Sequence, residues 1–454
     1  MQFRRTLGPE RLLVLSFAGL LALGTIGFQV LPGLYTGDRL SWLDALFTTT
    51  SAVCVTGLIV VDTATYFTPF GQAYIALLIQ VGGLGIITFT TLLMLALGRR
   101  LSMHHEAVSA GGAEVAPDVD FRELVRNVVR FTLALEAVGA LILFVAWLPS
   151  LGMGAAWHAV FHAVSAFCNA GFSTFSDSLV GFQTAPVTLA TIMGLIVAGG
   201  LGFLVMEEIH LVWKRRGQKG GRIRLSLHSQ LVLWTTGIVL LTGWIACAAL
   251  EWENTLAGLG LWDRLTNSLF LSVTPRTAGY NSVDYAATTD GTNFVTILLM
   301  SIGGSPGSTA GGLKTTTVAA IAFLALARLR GGERAHALSR TIPDDTIQRA
   351  VGLFAVTFGI VTLGILLLAV TQEAGAGPGA PGFLHYMFEA VSAFNTVGLS
   401  MGTTDDLDSA GKWIIILLMY VGRVGPLALA AAISLSRSSS DRDFRYAYED
   451  VLIG

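Results

Sequence analysis

The chain alternates long apolar runs with short polar ones from end to end. Apolar runs fill residues 12–30, 70–97, 121–147, 187–213, 231–250, 294–329, 350–370 and 413–435. Runs of about 18 or more apolar residues mark helices that cross a bilayer core of ~30 Å. Each pair of runs encloses a shorter segment with a helical apolar pattern, roughly ten residues long and too short to span. These segments occupy residues 43–58, 157–172, 265–280 and 384–399, and read LDALFTTTSAVCVTGL, WHAVFHAVSAFCNAGF, LTNSLFLSVTPRTAGY and LHYMFEAVSAFNTVGL. They align column by column. The fifth position is Phe47, Phe161, Leu269 and Phe388, and the ninth is Ser51, Ser165, Val273 and Ser392. Each segment ends in a small or polar pair, a glycine and a bulky apolar residue.

The four glycines, Gly57, Gly171, Gly279 and Gly398, are 114, 108 and 119 residues apart. A period of that length fits a two-helix membrane unit rather than a solenoid repeat. The expected fold is an all-α polytopic membrane protein. Four tandem helix–pore loop–helix repeats surround a central pore, with eight spanning helices and four re-entrant pore helices. The repeats occupy residues 11–98, 121–215, 228–330 and 346–437, with the second helix of the third broken at 303–312 and a cytoplasmic tail at 438–454.

Composition agrees. Of the 454 residues 53% are hydrophobic and 13% charged, against about 25% charged in globular chains, and the mean hydropathy is +0.66. Three cysteines argue against a disulfide framework. The first apolar run is too long for a cleaved signal, and the first repeat needs it as a helix. The net charge of −2 says little, but its distribution sets an orientation. Of the 28 Lys and Arg, 22 lie in the N-terminal segment, the three inter-repeat links and the tail. The opposite side carries only Arg39, Arg264, Arg276 and Lys412. Both termini and all links are therefore expected in the cytoplasm, with the pore loops entering from outside.

Non-helical backbone at membrane depth is tolerated only where it lines a wet cavity or is buried in protein. The segments Val55-Thr56-Gly57, Asn169-Ala170-Gly171, Thr277-Ala278-Gly279 and Thr396-Val397-Gly398 carry no carboxylate. Rings of backbone carbonyls replace a potassium ion's water shell without fixed charge, and Gly permits the backbone angles that turn successive carbonyls inward. Glycines that merely cap short helices are the alternative, but four in one column of a four-fold repeat favour a selectivity filter. In repeat three, Gly303-Gly304-Ser305-Pro306-Gly307-Ser308-Thr309-Ala310-Gly311-Gly312 interrupts one long helix, because Gly and Pro at that density cannot stay helical. The break belongs near mid-membrane, where small polar residues suit a mobile constriction; a static kink is the other reading. The segment nearly spells a phosphate loop, but Lys314 comes one residue late and no strand precedes it, so nucleotide binding is not expected.

Arg423 falls in the last apolar run, where repeats one and two have Gly82-Gly83-Leu84-Gly85 and Gly199-Gly200-Leu201-Gly202. A charge at membrane depth is costly unless it faces water or a partner. Arg423 is expected to point at the pore, hold the repeat-three loop through carbonyls and act as a positive barrier; snorkelling from a helix end is the alternative. Lys314 is expected only to cap the second half of the loop.

These motifs, with SAVCVTGL followed by VVDT, IQVGGLGIITF, TPRTAGYNSVD and FNTVGLSMG, resemble the Trk/Ktr/HKT superfamily of potassium transporters. The resemblance covers nearly the whole chain and is to the Ktr-type membrane subunit in length. It implies potassium selectivity through the four filter glycines, since a Ser in place of the first accompanies sodium selectivity in plant relatives and Gly57 stands here. It implies that the repeat-three loop gates the pore, with Arg423 in its company. It also implies a homodimer with one pore per protomer, and a cytoplasmic ring of nucleotide-binding (RCK/KTN-type) regulatory subunits. The links are too short to hold a regulatory domain of their own. The tail end Val451-Leu452-Ile453-Gly454 implies packing at the dimer interface, as in the family; on its residues alone a disordered tail is equally open.

The expected function is potassium uptake across the plasma (inner) membrane, driven by the membrane potential, with K+ at the filter carbonyls and no organic cofactor. Sodium dependence is left open, as is Na+ as a second ion. The alternative is a sodium-coupled alternating-access symporter, but that predicts inverted repeats, and these repeats are parallel. No enzymatic constellation and no nucleic-acid partner are expected.

Several residues are weighed further. Cys54 and Cys168 share a column with Arg276 and Asn395 and are expected as small buried side chains. Arg276 is expected behind the filter, paired with an acid such as Asp284 or Glu389. His158, His162 and His385 are spread over the pore helices and do not suggest a zinc site. Glu207 and Glu208 end a helix on the cytoplasmic side. Asp62, Asp177, Asp284, Asp405 and Asp406 follow the filters, where they either concentrate cations or are ordinary loop acids.

Overall fold

The computed structural model describes residues 9–106, 121–214, 225–338, 340–373 and 381–426. The tail at 438–454, the end of the fourth repeat beyond 426, Arg4, Arg5 and most basic residues of the second link lie outside the described residues.

The described residues are mostly helical, with their elements in four successive groups. The first holds α1 (Pro9–Val30), α2 (Trp42–Val53), the short α3 (Thr63–Tyr66) and α4 (Pro69–Glu106). The second holds α5 (Phe121–Leu151), α6 (Ala155–Phe167), α7 (Pro186–Leu201) and α8 (Phe203–Lys214). The third holds α9 (Leu227–Glu251), α10 (Leu261–Val273), α11 (Asp290–Met300) and α12 (Thr315–Leu329). The fourth holds α13 (Asp344–Glu373), α14 (Phe383–Phe394) and α15 (Ser409–Val424). The third link contains a two-stranded antiparallel hairpin not foreseen from the pattern, β1 (His336–Ala337) with β2 (Arg340–Thr341).

Local chemistry sets the starts. Ser41, Asp62, Ser226, Thr289 and Asp408 each accept a backbone N–H of the helix that follows, satisfying donors the first turn cannot. The leading helix of each group presents large apolar side chains outward, such as Leu23 on α1, Leu141 on α5, Ile245 on α9 and Phe358 on α13. Among the described residues, these four regions are each long and apolar enough to cross a membrane by themselves. In contrast, α2, α10 and α14 bury their last turns completely, and α6 all of its last turn but Val164. The trailing helix of each group packs against the short helix of the next: α4 on α6, α7 on α10, α11 on α14, and α15 on α2. This closes a ring of four.

Two expectations about the trailing helices need correction. The run at 187–213 is not one helix: α7 and α8 meet at a 102° bend. The bend falls at Gly202, whose φ of 86° suits glycine. The run from 413 is helical only to Val424, where Gly425, at φ 91°, ends α15; residues beyond 426 lie outside the described ones. Among the described residues two trailing helices are therefore cut, α7–α8 at Gly202 and α11–α12 at the break expected from the sequence.

Candidate functional site

At the end of each short helix the backbone makes the same turn. The first residues of the four triplets, Val55, Asn169, Thr277 and Thr396, have φ of 57°, 60°, 67° and 52°. The glycines Gly57, Gly171, Gly279 and Gly398 have φ of 96°, 69°, 78° and 92°. Left-handed backbone is costly for a side chain, so each first residue needs support. The preceding helix supplies it, as where Thr56 N donates to Ser51 O at 2.8 Å and Val397 N to Ser392 O at 2.8 Å. Hydroxyls add to it: Gly57 N donates to Ser51 Oγ at 3.0 Å, Gly398 N to Ser392 Oγ at 3.1 Å, and Ser165 Oγ to Phe172 O at 2.8 Å.

The third repeat departs by one residue. Val273 occupies the serine column, but Thr274 supplies the hydroxyl, donating to Tyr280 O. Likewise Phe270, wholly buried, fills the place that Phe47, Phe161 and Phe388 hold elsewhere, while Leu269 does not. The hydroxyl is one residue closer to its glycine here, and Pro275, with no N–H, sits at the junction.

The four turns meet around one axis. A Cβ on Gly57 would lie 2.4 Å from Ala170 O, on Gly171 2.8 Å from Ala278 O, on Gly279 2.4 Å from Val397 O, and on Gly398 2.0 Å from Thr56 O. Each glycine thus lies against the middle carbonyl of the next turn, and no side chain fits between. One face of this ring opens into a cavity of about 400 Å³, floored by the four glycines and lined by Asp62, Asp177, Asp284 and Asp405. Three of these acids also hold their own loops: Asp62 Oδ1 accepts from Ala64 N, Asp177 Oδ2 from Gly181 N, and Asp284 Oδ1 from Ala286 N. Burial, and then the neighbouring Asp406, push the Asp405 carboxyl above the usual range. Asp406 itself does not line the cavity.

The opposite face carries the interruption between α11 and α12. Gly303 N donates to Leu313 O at 2.8 Å and Thr315 N to Gly304 O at 3.0 Å, pinning the two ends of the loop together. Ser305 N bonds Gly200 O at 2.9 Å, Thr309 N bonds Gly199 O at 3.3 Å, and Phe203 N bonds Gly307 O at 3.1 Å. The bend at Gly202 therefore receives the middle of the loop. Arg423, 4% exposed, donates through Nη1 to Thr309 O and through Nη2 to Gly82 O at 3.4 Å. It lies in the last turn of α15, where the helix dipole favours a cation. Its hydrogen bonds join the loop to α4, so backbone of the first three groups and a side chain of the fourth are linked at this level. Arg423 does not snorkel. Lys314 Nζ donates to Ala310 O at 2.5 Å, capping the loop's second half.

Arg276 differs from expectation. Its guanidinium donates to Gly303 O at 3.3 Å and not to a carboxylate. Asp284 is engaged by Ala286 N, and Glu389 accepts from Ser400 Oγ and Thr404 Oγ1; each acid is satisfied by its own loop. Cys54 and Cys168 are buried and free. His162 is buried between His158 O at 2.8 Å and Ser173 Oγ at 2.9 Å, and His158 meets Thr174 Oγ1 at 2.6 Å; His385 is on α14. Among the described residues, no group of three or more His, Cys, Asp or Glu could hold a metal. Glu208 receives Ser226 N at 3.2 Å.

Two buried acids escaped the sequence reading. Glu136 accepts from Gln80 at 3.1 Å, behind the second turn. Glu251, wholly buried, accepts from Thr289 N at 2.9 Å and Thr255 Oγ1 at 2.8 Å, fixing the start of α11 to the end of α9. An acid inside or at the edge of an apolar run was the available signal.

Over residues 25–442 the chain matches the TrkH family, described as cation transport proteins. It is 37% identical to the potassium/sodium uptake protein NtpJ of Enterococcus hirae, across 99% of this chain and 98% of that one. It is 38% identical to the Ktr system potassium uptake protein B of Bacillus subtilis, across 98% and 97%. The crystal structure of the potassium transporter TrkH from Vibrio parahaemolyticus shares the fold, with a TM-score of 0.75 at 18% identity over 96% of this chain and 87% of that one. The family match covers most of the length and the relatives cover nearly all of it, so this polytopic helical membrane protein belongs to the TrkH family of cation transport proteins.

Proposed function

We propose that the chain takes up potassium across the plasma membrane through the axis of the four turns, with the loop at 303–312 and Arg423 as the gate. One observation carries this reading: the closed ring in which each of four glycines lies against the middle carbonyl of the next turn. A ring of neutral carbonyls can replace the hydration shell of K+ without the tight hold of a carboxylate, which conduction requires. Gly57, Gly171, Gly279 and Gly398 leave room for the ion and its backbone ligands. The acids above them raise the local cation concentration. Below, Arg423 opposes a passing cation by charge, and the loop by its bulk. Opening requires the Thr309 carbonyl to leave the guanidinium. The names of the relatives, potassium and potassium/sodium uptake proteins, agree with a monovalent cation as cargo.

With the filter entering from outside, the loop-side links face the cytoplasm and its basic residues obey the charge bias of membrane proteins. The name "Ktr system" given to the Bacillus subtilis relative supports a multi-part assembly. A nucleotide-binding ring on the cytoplasmic face of a homodimer is the partner arrangement proposed here. The test is potassium and sodium flux in liposomes holding the purified protein, wild type and Gly57→Ser. Potassium flux whose preference over sodium falls in the variant supports the filter. Robust flux with unchanged preference overturns it. Wild-type potassium flux that requires sodium would add sodium coupling to the reading.

A further inference from the structure

Arg276 immediately precedes the triplet Thr277-Ala278-Gly279, and its guanidinium reaches Gly303, the first residue of the loop, at 3.3 Å. It is 6% exposed, and its Nε has no hydrogen-bond partner. Cys54, Cys168 and Asn395 occupy its column elsewhere, so only the third repeat extends a charged arm from filter to loop. The far end of the loop is also pressed against a filter turn. A Cβ on Gly311 would lie 2.2 Å from Thr396 Oγ1, and one on Gly312 2.2 Å from Asn395 Oδ1. Neither of those buried oxygens has a hydrogen-bond partner. Between the ends, Thr309 Oγ1 donates at 3.4 Å to Phe167 O, at the end of α6. The loop thus touches the undersides of three of the four filter turns.

We infer that filter and loop form one mechanical unit and that Arg276 is the positioning residue that couples them; this rests on the pore reading given above. With the loop seated, the Gly303 carbonyl holds the guanidinium, and the buried, tethered side chain steadies Thr277 in its left-handed conformation, which is strained for a threonine. When the loop leaves, the buried charge loses its acceptor, which is costly, and the third turn relaxes. Coupling of this kind is reciprocal. A cation that orders the filter must also favour the seated loop, so K+ in the filter holds the gate and Na+, which the ring fits less well, holds it less.

The test is amide hydrogen exchange of full-length protein in lipid nanodiscs, in K+ and in Na+ at equal ionic strength. Peptides covering 55–58, 169–172, 277–280 and 396–399 report the four filter turns, and peptides covering 303–312 report the loop. In wild type, K+ is expected to slow exchange in both by about 5-fold or more, the lower end of ordinary coupling. Arg276→Gln is expected to keep much of the K+ effect at the other three filters but lose it in the loop. Arg276→Lys, which keeps the positive charge as well as a donor, is expected to restore it in part. K+ protection of the filter without protection of the loop in wild type overturns the coupling and leaves the pore reading standing, even where Arg276→Gln fails to fold. An undiminished loop effect in folded Arg276→Gln removes Arg276 from it. No K+ effect at any of the four filters overturns the pore reading and the coupling with it.

Discussion

On the cavity side of the ring, the four groups are near copies. The first residues of their turns differ in φ by no more than 15°, from 52° to 67°, and each glycine meets its neighbour in the same way. On the loop side no two are alike. There α4 runs on unbroken, α7 bends by 102° into α8, α11 and α12 are parted by the fourteen residues 301–314, and α15 ends at Gly425 beneath a buried arginine. The proposed function gives the contrast a physical cause. A single ion on an axis is best held by equivalent carbonyls, so the filter gains from repetition. A barrier that opens needs one part that moves and others that stay, so the loop side gains from difference. Even the third filter, shortened by one residue at Pro275, recovers its hydroxyl from Thr274.

The sharpest way to break this contrast is to remove the residue unique to the loop side. Arg423→Gln loses charge-assisted hydrogen bonds to Thr309 and Gly82, worth about 2 kcal/mol of loop closure together with the lost barrier. Potassium flux without any partner is expected to rise by about 30-fold, the equivalent factor; flux at or below wild type would show that the arginine does not close the path. On the filter side, Gly398→Ala puts a methyl 2.0 Å from Thr56 O at φ 92°. A fall of about ten-fold in preference for K+ over Na+ is expected, the equivalent of about 1.4 kcal/mol in differential binding. An unchanged ratio from folded protein would argue that the glycines are only structural.

Ser51→Ala and Ser392→Ala test equivalence itself. Each removes one hydroxyl acceptor from a filter glycine N–H, so each is expected to cost about 1 kcal/mol of stability. Melting of the two purified variants in K+ is expected to shift by the same amount, and a large shift in one with none in the other would mean that the turns are not interchangeable. The smallest effect belongs to the outer acids. Burial raises the Asp405 carboxyl, so it loses its charge at a higher pH than an ordinary aspartate. Its attraction for cations is therefore lost as pH falls through that raised value. Uptake from dilute potassium is expected to weaken on mild acidification, and Asp405→Asn to remove part of that dependence, by no more than about 2-fold once salt screens the field. A pH profile identical in the variant would leave Asp405 as a loop acid alone.

The apolar runs, the four glycine columns and the break at Pro306 were legible in the sequence because each is a local property. A spanning run follows from bilayer thickness, a glycine from its φ, and a broken helix from the backbone of Gly and Pro. The register of the third filter was not legible. Leu269 and Val273 looked like departures in composition, whereas packing places Phe270 and Thr274 in their roles. The partner of Arg276 was misjudged for a related reason: charge pairing suggested Asp284 or Glu389, but both already had donors in their own loops, and a carbonyl at Gly303 was the acceptor left at hand.

The sequence by itself determined that this is a membrane protein of repeated hairpins, and which twelve residues form the four turns. Only the tertiary structure decided which turn leans on which, why α7 bends at Gly202 to receive the loop, and that Arg423 reaches Gly82 across 341 positions of chain. The division follows from range. Backbone conformation is written in a few adjacent residues, but a hydrogen bond between distant helices depends on every element that packs them together, and no short pattern records it.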